Sequence, residues 1–390
     1  MINWVNFLHL YQPPQQNEFI FHEVARESYF EIAKFFDLYD GIKLTMNISG
    51  SLLEQLIAYR YDKLLDDFRN AFLSGEIELV GSAIYHPILP LLPEREVERQ
   101  ILLDRVIKRQ VFGEKYNPRG FYLSEMAYSI KVVPILEKLG FEWIILDEIS
   151  FSGKLGECDT TKPYKIKDSK LKVIFRNREI SNSFVPDTIE KISSEGSEKN
   201  INIITATDGE LYGHRHLDFY DRTRAVFGDS NVKSLRVSEF IDSFDENDLE
   251  EIEPVASDWE AQEIEIADKK LFSYWNDGGN EIQRKMWQLA GLAIEEVEKH
   301  AGDENYKIAR ELLDKGLASC HFWAASGRAS FLWKDTIWNP DTIENGVSFL
   351  VRSVRSLRED ELKKRLEVEN LFLEIIGLIW KKHWETFYKP

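Results

Sequence analysis

RGFYLSEMAYSIKVVPILEKLGFEWIIL, residues 119–146, reads as strand, helix, strand. Arg119–Leu123 is a short β-type run, Ile130–Leu139 is helical, and Trp143–Leu146 is the next apolar run. The pattern repeats on both sides. Asn3–Leu8, Ile42–Ile48 and Ile77–Ile84 precede it as strands, with helical stretches Gly50–Leu73 and Glu94–Phe112 between or after them. Lys172–Arg176 and Ile201–Thr205 follow it. Strands alternating with helices predict βα units around a parallel sheet. Roughly seven such units in ~250 residues suit a barrel better than an open sheet. The fold expected is therefore α/β, a (β/α)7 barrel with a C-terminal α-helical region.

From about Trp275 the period changes. Met286, Leu289, Ala290, Ala293 and Val297 recur at helical spacing, as do Val347, Leu350, Val351, Val354 and Leu357. A third series is Leu362, Leu366, Leu373, Ile376 and Trp380. Each predicts one apolar stripe on a charged helix. The division expected is a barrel over 1–255 and a helical region over 256–390, with the acidic stretch Asp242–Glu253 as a surface connection.

The charge balance narrows the partners. In 390 residues, 49 Lys and Arg stand against 67 Asp and Glu, a net charge of −18. Nucleic acids and anionic membrane surfaces call for a basic face and are not expected. Two cysteines, Cys158 and Cys320, are too few for a disulfide scaffold or a cysteine-held zinc. The start has no basic region before an apolar run, and Pro13–Pro14 interrupts it, so a cytoplasmic protein is expected. With 10 Trp, 15 Tyr and 24 Phe, flat rings with polar edges are abundant, and the negative charge favours sugars over nucleotides as what they would face.

In βα barrels the reactive groups gather where strands end. The first strand ends in His9, with Gln12 beyond. The third ends in Tyr85–His86, the fourth runs into Glu125, and the Ile201 strand runs into Asp208–Gly209–Glu210, with His214 and His216 just after. Two carboxylates on different strands at one mouth are what glycoside cleavage needs, one ionised and one holding a proton. In an extended segment Glu210 would point the same way as Asp208, and its like charge would favour the protonated form of Asp208. Asp208 is then the better acid/base and Glu125 the better nucleophile. Capping of the next helix is the competing account of such carboxylates. No metal site is expected, because the histidines lack the i, i+4 helical spacing of a zinc pair. No cofactor is expected either, since no phosphate-cradling glycine loop is present. His321 and Trp323 could reach the mouth from the helical region, or pack as one face of a helix.

These residues resemble glycoside hydrolase family 57. His9-Leu-Tyr-Gln-Pro-Pro14 is similar to its first motif, and Gly81-Ser-Ala-Ile-Tyr-His-Pro-Ile-Leu-Pro90 to its second. Gly120-Phe-Tyr-Leu-Ser-Glu125 resembles the nucleophile motif, and Thr207-Asp-Gly-Glu-Leu-Tyr-Gly213 the acid/base motif. Trp275-Asn-Asp-Gly-Gly-Asn280 with Arg284-Lys-Met-Trp287 resembles the segment that opens the helical region. The fifth motif is placed around His321–Trp323. The chain departs at Ser124, where the family usually has Pro, and at Tyr122, where it often has Trp. The resemblance implies retaining chemistry on α-glucans such as maltooligosaccharides, starch or glycogen, with Glu125 as nucleophile and Asp208 as acid/base. It implies no catalytic metal. It also implies that His9, His86 and His214 line the substrate site, and Gln12, Tyr122, Glu210, Trp275, His321 and Trp323 are added as substrate-binding candidates. Retention would place the two carboxyl groups about 5–5.5 Å apart. Hydrolysis is the first expectation. The alternatives are 4-α-glucanotransferase or branching-type transfer on the same site, a non-catalytic glucan-binding relative, and a metal-dependent carbohydrate deacetylase.

Overall fold

A computed structural model describes residues 1–39, 41–196, 200–216, 219–330, 335–358 and 361–388. Its strands are β1 (Ile2–Leu10), β2 (Leu44–Ile48), β3 (Ile77–Leu79), β4 (Gly120–Phe121), β5 (Trp143–Asp147), β6 (Tyr164–Ile166), β7 (Lys172–Arg176), β8 (Ile201–Asp208), β9 (Val232–Leu235) and β10 (Glu251–Ile252). The seven strands expected from the sequence are β1 to β5, β7 and β8. One parallel run has the order β3-β2-β1-β8, and another passes from β4 through β5 to β7. Two links join them. Gly81 N–H donates to Gly120 O and Tyr122 N–H to Gly81 O, both at 2.9 Å, while Asn177 N–H donates to Ile204 O at 2.9 Å. These links carry the sheet from β8 round through β1, β2, β3, β4, β5 and β7 to β8 again, the (β/α)7 arrangement expected.

Three strands were not expected. β9 lies beside the start of β1, below the point where β2 takes over that edge. β6 folds back antiparallel on β7, and β10 pairs with β6, so the acidic stretch includes a short edge strand. Gly50–Leu73 is two helices, Gly50–Ala58 and Asp62–Ser74, separated at Arg60, whose φ is 62°.

Strand period two sorts the side chains. Val5 and Phe7 of β1, Trp143 and Ile145 of β5, Ile174 of β7, and Ile204 and Ala206 of β8 share one buried cluster, which fills the barrel. The alternate residues, such as Leu8, Met46, Ile144 and Phe175, join clusters with the surrounding helices. Beside the link between β3 and β4, two glycines leave room for neighbouring aromatic rings. A Cβ on Gly120 would lie 2.1 Å from the Trp143 ring, and one on Gly81 2.5 Å from Phe141. Trp143 cannot retreat, being wholly buried with its indole N–H on Ser238 Oγ at 2.9 Å. Gly120→Ala is therefore expected to cost about 3 kcal/mol in urea unfolding. Gly278→Ala, with open space around it, should stay within about 0.5 kcal/mol.

The chain divides into two compact units: Met1–Ile84 with Leu89–Trp259, and Tyr85–Ile88 with the residues from Glu260 on. The second unit contains the helices Glu281–Lys299, Tyr306–Gly316, Ser319–Trp323, Pro340–Ser356 and Leu362–Lys382. The first two predicted stripes are its buried faces. The third is corrected. Leu362, Leu366 and Leu373 are exposed, and the buried stripe of that helix is Val368, Leu371, Ile375 and Ile379. This helix is apolar on two faces, and periodicity alone does not choose between them. Among the described residues no helix is long and apolar enough to cross a membrane.

Candidate active site

The same period of two ends in a polar layer. One step beyond the apolar filling, the inward positions are His9 on β1, Asn47 on β2, Asp147 on β5, Arg176 on β7 and Asp208 on β8. His9 stands in register with Asn47 on one side and Asp208 on the other. A buried ionic layer persists only when its members bond one another. Arg176 meets Asp147 at 2.7 Å and donates to Ala206 O at 2.9 Å, and Arg178 meets Asp147 at 2.7 Å. Burial raises the Asp208 carboxyl above its ordinary range, opposed by the positive charges of Arg215 and Arg176.

Glu125 sits in the turn Ser124–Met126 that ends β4, with φ 59° and ψ 19°, and Met126 follows at φ 49°. Two successive non-glycine residues in the left-handed region are strained, and such strain persists where the surroundings fix it. Trp259 does the fixing. Its backbone N–H donates to Glu125 O at 3.1 Å and its indole N–H to Oε2 at 2.9 Å. An indole N–H can only donate, so this oxygen meets it as an acceptor. Trp259 lies edge-on to His9 and Tyr122, and the Arg176 guanidinium sits 5.2 Å from its ring centre. Tyr122 stacks on His9 at 4.5 Å. Burial holds the Tyr122 hydroxyl far above an ordinary phenol, and the charges of both Glu125 and Asp208 add to that. The two carboxylates therefore act on one buried ring.

Glu210 is organised from a segment with no sequence signature. Residues Ala25–Tyr29 form a π-helical turn, a form common at functional sites. Three consecutive residues of it reach the β8 loop. Glu27 bonds His214 Nδ1 at 2.8 Å, Ser28 Oγ donates to Gly209 O at 2.8 Å, and the Tyr29 hydroxyl donates to Glu210 Oε1. Gln12 donates to Tyr29 Oη at 2.8 Å and to Glu210 at 3.2 Å. Burial, then the charge of Asp208, pushes Glu210 up to about 7. The expected coupling of the two carboxyls is present, with two corrections. Glu210 lies in a 3-10 turn, Gly209–Leu211, rather than an extended run. Burial raises Asp208, and the like charge is felt at Glu210 instead.

Five of the predicted binding residues, His9, Gln12, Tyr122, Glu210 and His214, lie with Glu125 and Asp208 in the first unit. The other four are in the second. His86 has φ 58°, bonds Ser319 Oγ at 3.1 Å, and is pushed by burial down to about 3, so its ring is neutral. Trp275 is wholly buried, its carbonyl accepting the Trp287 indole N–H at 2.9 Å, so it offers no open ring face. His321 places both ring nitrogens 3.2 Å from backbone carbonyls, those of Thr342 and Lys315, and a Cβ on Gly346 would lie 2.4 Å from its own Cβ. Trp275 and His321 thus have packing roles within the second unit. Trp323 ends the helix Ser319–Trp323, half-buried.

Sequence reasoning missed Trp259, Tyr29, Arg176, Asp147 and Asn47. For the last three a signal existed: each is a polar residue at an inward period-two position of an apolar strand. Trp259 and Tyr29 act across 134 and 181 residues respectively, and no local pattern marks them. Among the described residues no three His, Cys, Asp or Glu side chains group as metal ligands would.

Comparison with known proteins gives three findings. The sequence profile of glycosyl hydrolase family 57 matches residues 3–252. Curated relatives include an α-amylase of Pyrococcus horikoshii, 27% identical over 298 residues that cover 70% of this chain and 45% of its own. A 4-α-glucanotransferase of Thermococcus litoralis is 25% identical over 293 residues, covering 70% of this chain and 43% of its own. The chain thus spans less than half the length of these relatives. Among solved structures, the family 57-type branching enzyme of Pyrococcus horikoshii has a TM-score of 0.69 at 18% identity, covering 97% of this chain and 95% of its own. The Thermococcus litoralis 4-α-glucanotransferase has a TM-score of 0.71 at 18% identity, covering 92% of this chain and 60% of its own. At such identity the likeness is one of fold.

Proposed function

Because the chain belongs to glycosyl hydrolase family 57, we propose that it cleaves or transfers α-1,4-linked glucose chains by double displacement at the barrel mouth. Glu125 attacks the anomeric carbon. Asp208 gives its proton to the departing glycosidic oxygen, leaving a covalent glycosyl-enzyme. Asp208, now a carboxylate, takes a proton from water or from an acceptor sugar hydroxyl, whose oxygen displaces Glu125. The observation that carries this reading is the contrast between the two carboxyls. Glu125 accepts the Trp259 indole N–H, whereas burial holds Asp208 toward its protonated form. One acid and one base on two different strand ends is the division of labour the chemistry needs.

Transfer shares every step until the glycosyl-enzyme, and the names of the relatives cover hydrolysis, transfer and branching alike. Incubation with maltoheptaose separates them. Shorter products with rising reducing ends mean hydrolysis. Products shorter and longer than the substrate at constant reducing ends mean transfer. No product from maltoheptaose, amylose or glycogen would overturn the proposal.

The pH profile offers a further test. Activity requires Asp208 protonated, so it falls as pH rises through the Asp208 midpoint. The two buried carboxyls lie side by side, so the charge of the first to ionise raises the other. Glu210→Gln removes the charge, so the alkaline limb of kcat/KM should move to lower pH by about one unit. A limb that stayed in place would show that Glu210 does not act on Asp208.

A further inference from the structure

Behind the polar layer lies a buried ion pair the mechanism does not use. Lys108 and Asp104, one turn apart on the helix Glu94–Phe112, meet at 2.9 Å, and neither is more than 1% exposed. The Lys108 ammonium has three hydrogens and three acceptors: Asp104 Oδ2, Val80 O at 2.9 Å and Asn47 Oδ1 at 3.2 Å. Burial pushes Lys108 down and Asp104 up, and the attraction between them opposes both shifts.

An ammonium only donates. The Asn47 amide must therefore turn its oxygen to Lys108 and its NH2 away. That NH2 lies 2.9 Å from His9 Nδ1. A donor at this distance requires Nδ1 to present a lone pair, so the proton of the neutral ring sits on Nε2. The direction of every bond in the chain follows from one positive charge. His9 and Asn47 are in register on adjacent strands, and His9 is in register with Asp208.

We propose that Lys108 and Asn47 are positioning residues that fix the Nε2-protonated tautomer of His9, so that the ring faces the reacting sugar as a hydrogen-bond donor. The role in turnover rests on the reading of the site as glucan-active, whereas the tautomer does not. Lys108 touches no reacting atom. It acts through Asn47, and its partner Asp104 keeps the charge in place by also accepting Ser82 N–H at 3.0 Å.

The test is Asn47→Asp in the full chain. The carboxylate is isosteric and keeps an oxygen for Lys108, but it turns an acceptor to His9 Nδ1. In ¹⁵N-histidine spectra, with the His9 signals assigned by a His9→Gln spectrum, the wild type should show unprotonated Nδ1 and protonated Nε2. The variant should show protonated Nδ1. Its kcat on maltoheptaose should fall about tenfold to a hundredfold, with KM within about twofold, because the donor matters most near the reacting bond. Protonated Nδ1 in the wild type, or an unchanged His9 pattern in the variant, overturns the tautomer assignment. A changed tautomer with unchanged kcat overturns the positioning role. If the wild type cleaves no glucan, the functional reading fails while the spectra still decide the tautomer. Should Asn47→Asp fail to fold, the wild-type spectrum alone tests the assignment.

Discussion

Glu125→Gln lowers maltoheptaose turnover by on the order of 10⁴-fold, because the amide oxygen cannot form the glycosyl-enzyme bond. The fold should survive. A glutamine oxygen still accepts the Trp259 indole N–H, and the backbone bond from Trp259 to residue 125 involves no side-chain atom. The thermal midpoint is therefore expected within a few degrees of wild type. A second variant separates the nucleophile from other roles. Glu125→Ala leaves space for a small anion, so added azide should restore turnover and give a glycosyl azide of inverted anomeric configuration. Wild-type activity in Glu125→Gln, or retention of configuration in the azide product, would remove Glu125 from the nucleophile's role.

Asp208→Asn should show a loss that depends on the leaving group. Maltoheptaose departs through an alkoxide-like oxygen that needs a proton, so its turnover should fall by about 10³-fold. An α-glucosyl fluoride leaves without a proton, and its first step should be nearly unaffected. The covalent intermediate should then accumulate, because the same residue is missing as the base of the second step. Equal losses on both substrates would count against proton donation and favour a purely electrostatic role. The variant also removes the charge that raises Glu210, so Glu210 should titrate below its present value of about 7.

Much of the fold was legible because its information is local. The seven barrel strands announce themselves as short apolar runs between helical stretches. Helix Glu94–Phe112 matches its expected bounds residue for residue. The exceptions have local causes of another kind. β6, β9 and β10 are two to four residues long and exist only because a neighbouring strand edge accepts them. The C-terminal helix Leu362–Lys382 carries apolar residues on two faces, and only its neighbours determine that Val368, Leu371, Ile375 and Ile379 turn inward.

The site divides in the same way. Glu125 and Asp208 stand out as candidates because a strand running into a carboxylate is visible in one stretch of chain. His9 and Glu210 followed from the same rule. What surrounds them was not visible. Trp259 lies four residues beyond the barrel end expected at 255, and it bonds both backbone and side chain of Glu125. Tyr29 reaches Glu210 through a π-helical turn that no spacing rule anticipates.

By itself, the sequence determined the order and type of the barrel elements and the chemistry available at each strand end, because propensity, period and residue type act over a few neighbouring residues. Tertiary structure decided the state of that chemistry. Closure of the sheet set which of two alternating residues faces inward, burial raised Asp208 and Glu210, and Lys108, sixty-one residues from Asn47, oriented the amide that faces His9. Protonation and bond direction depend on what lies within a few ångströms in space, and chain distance does not encode that.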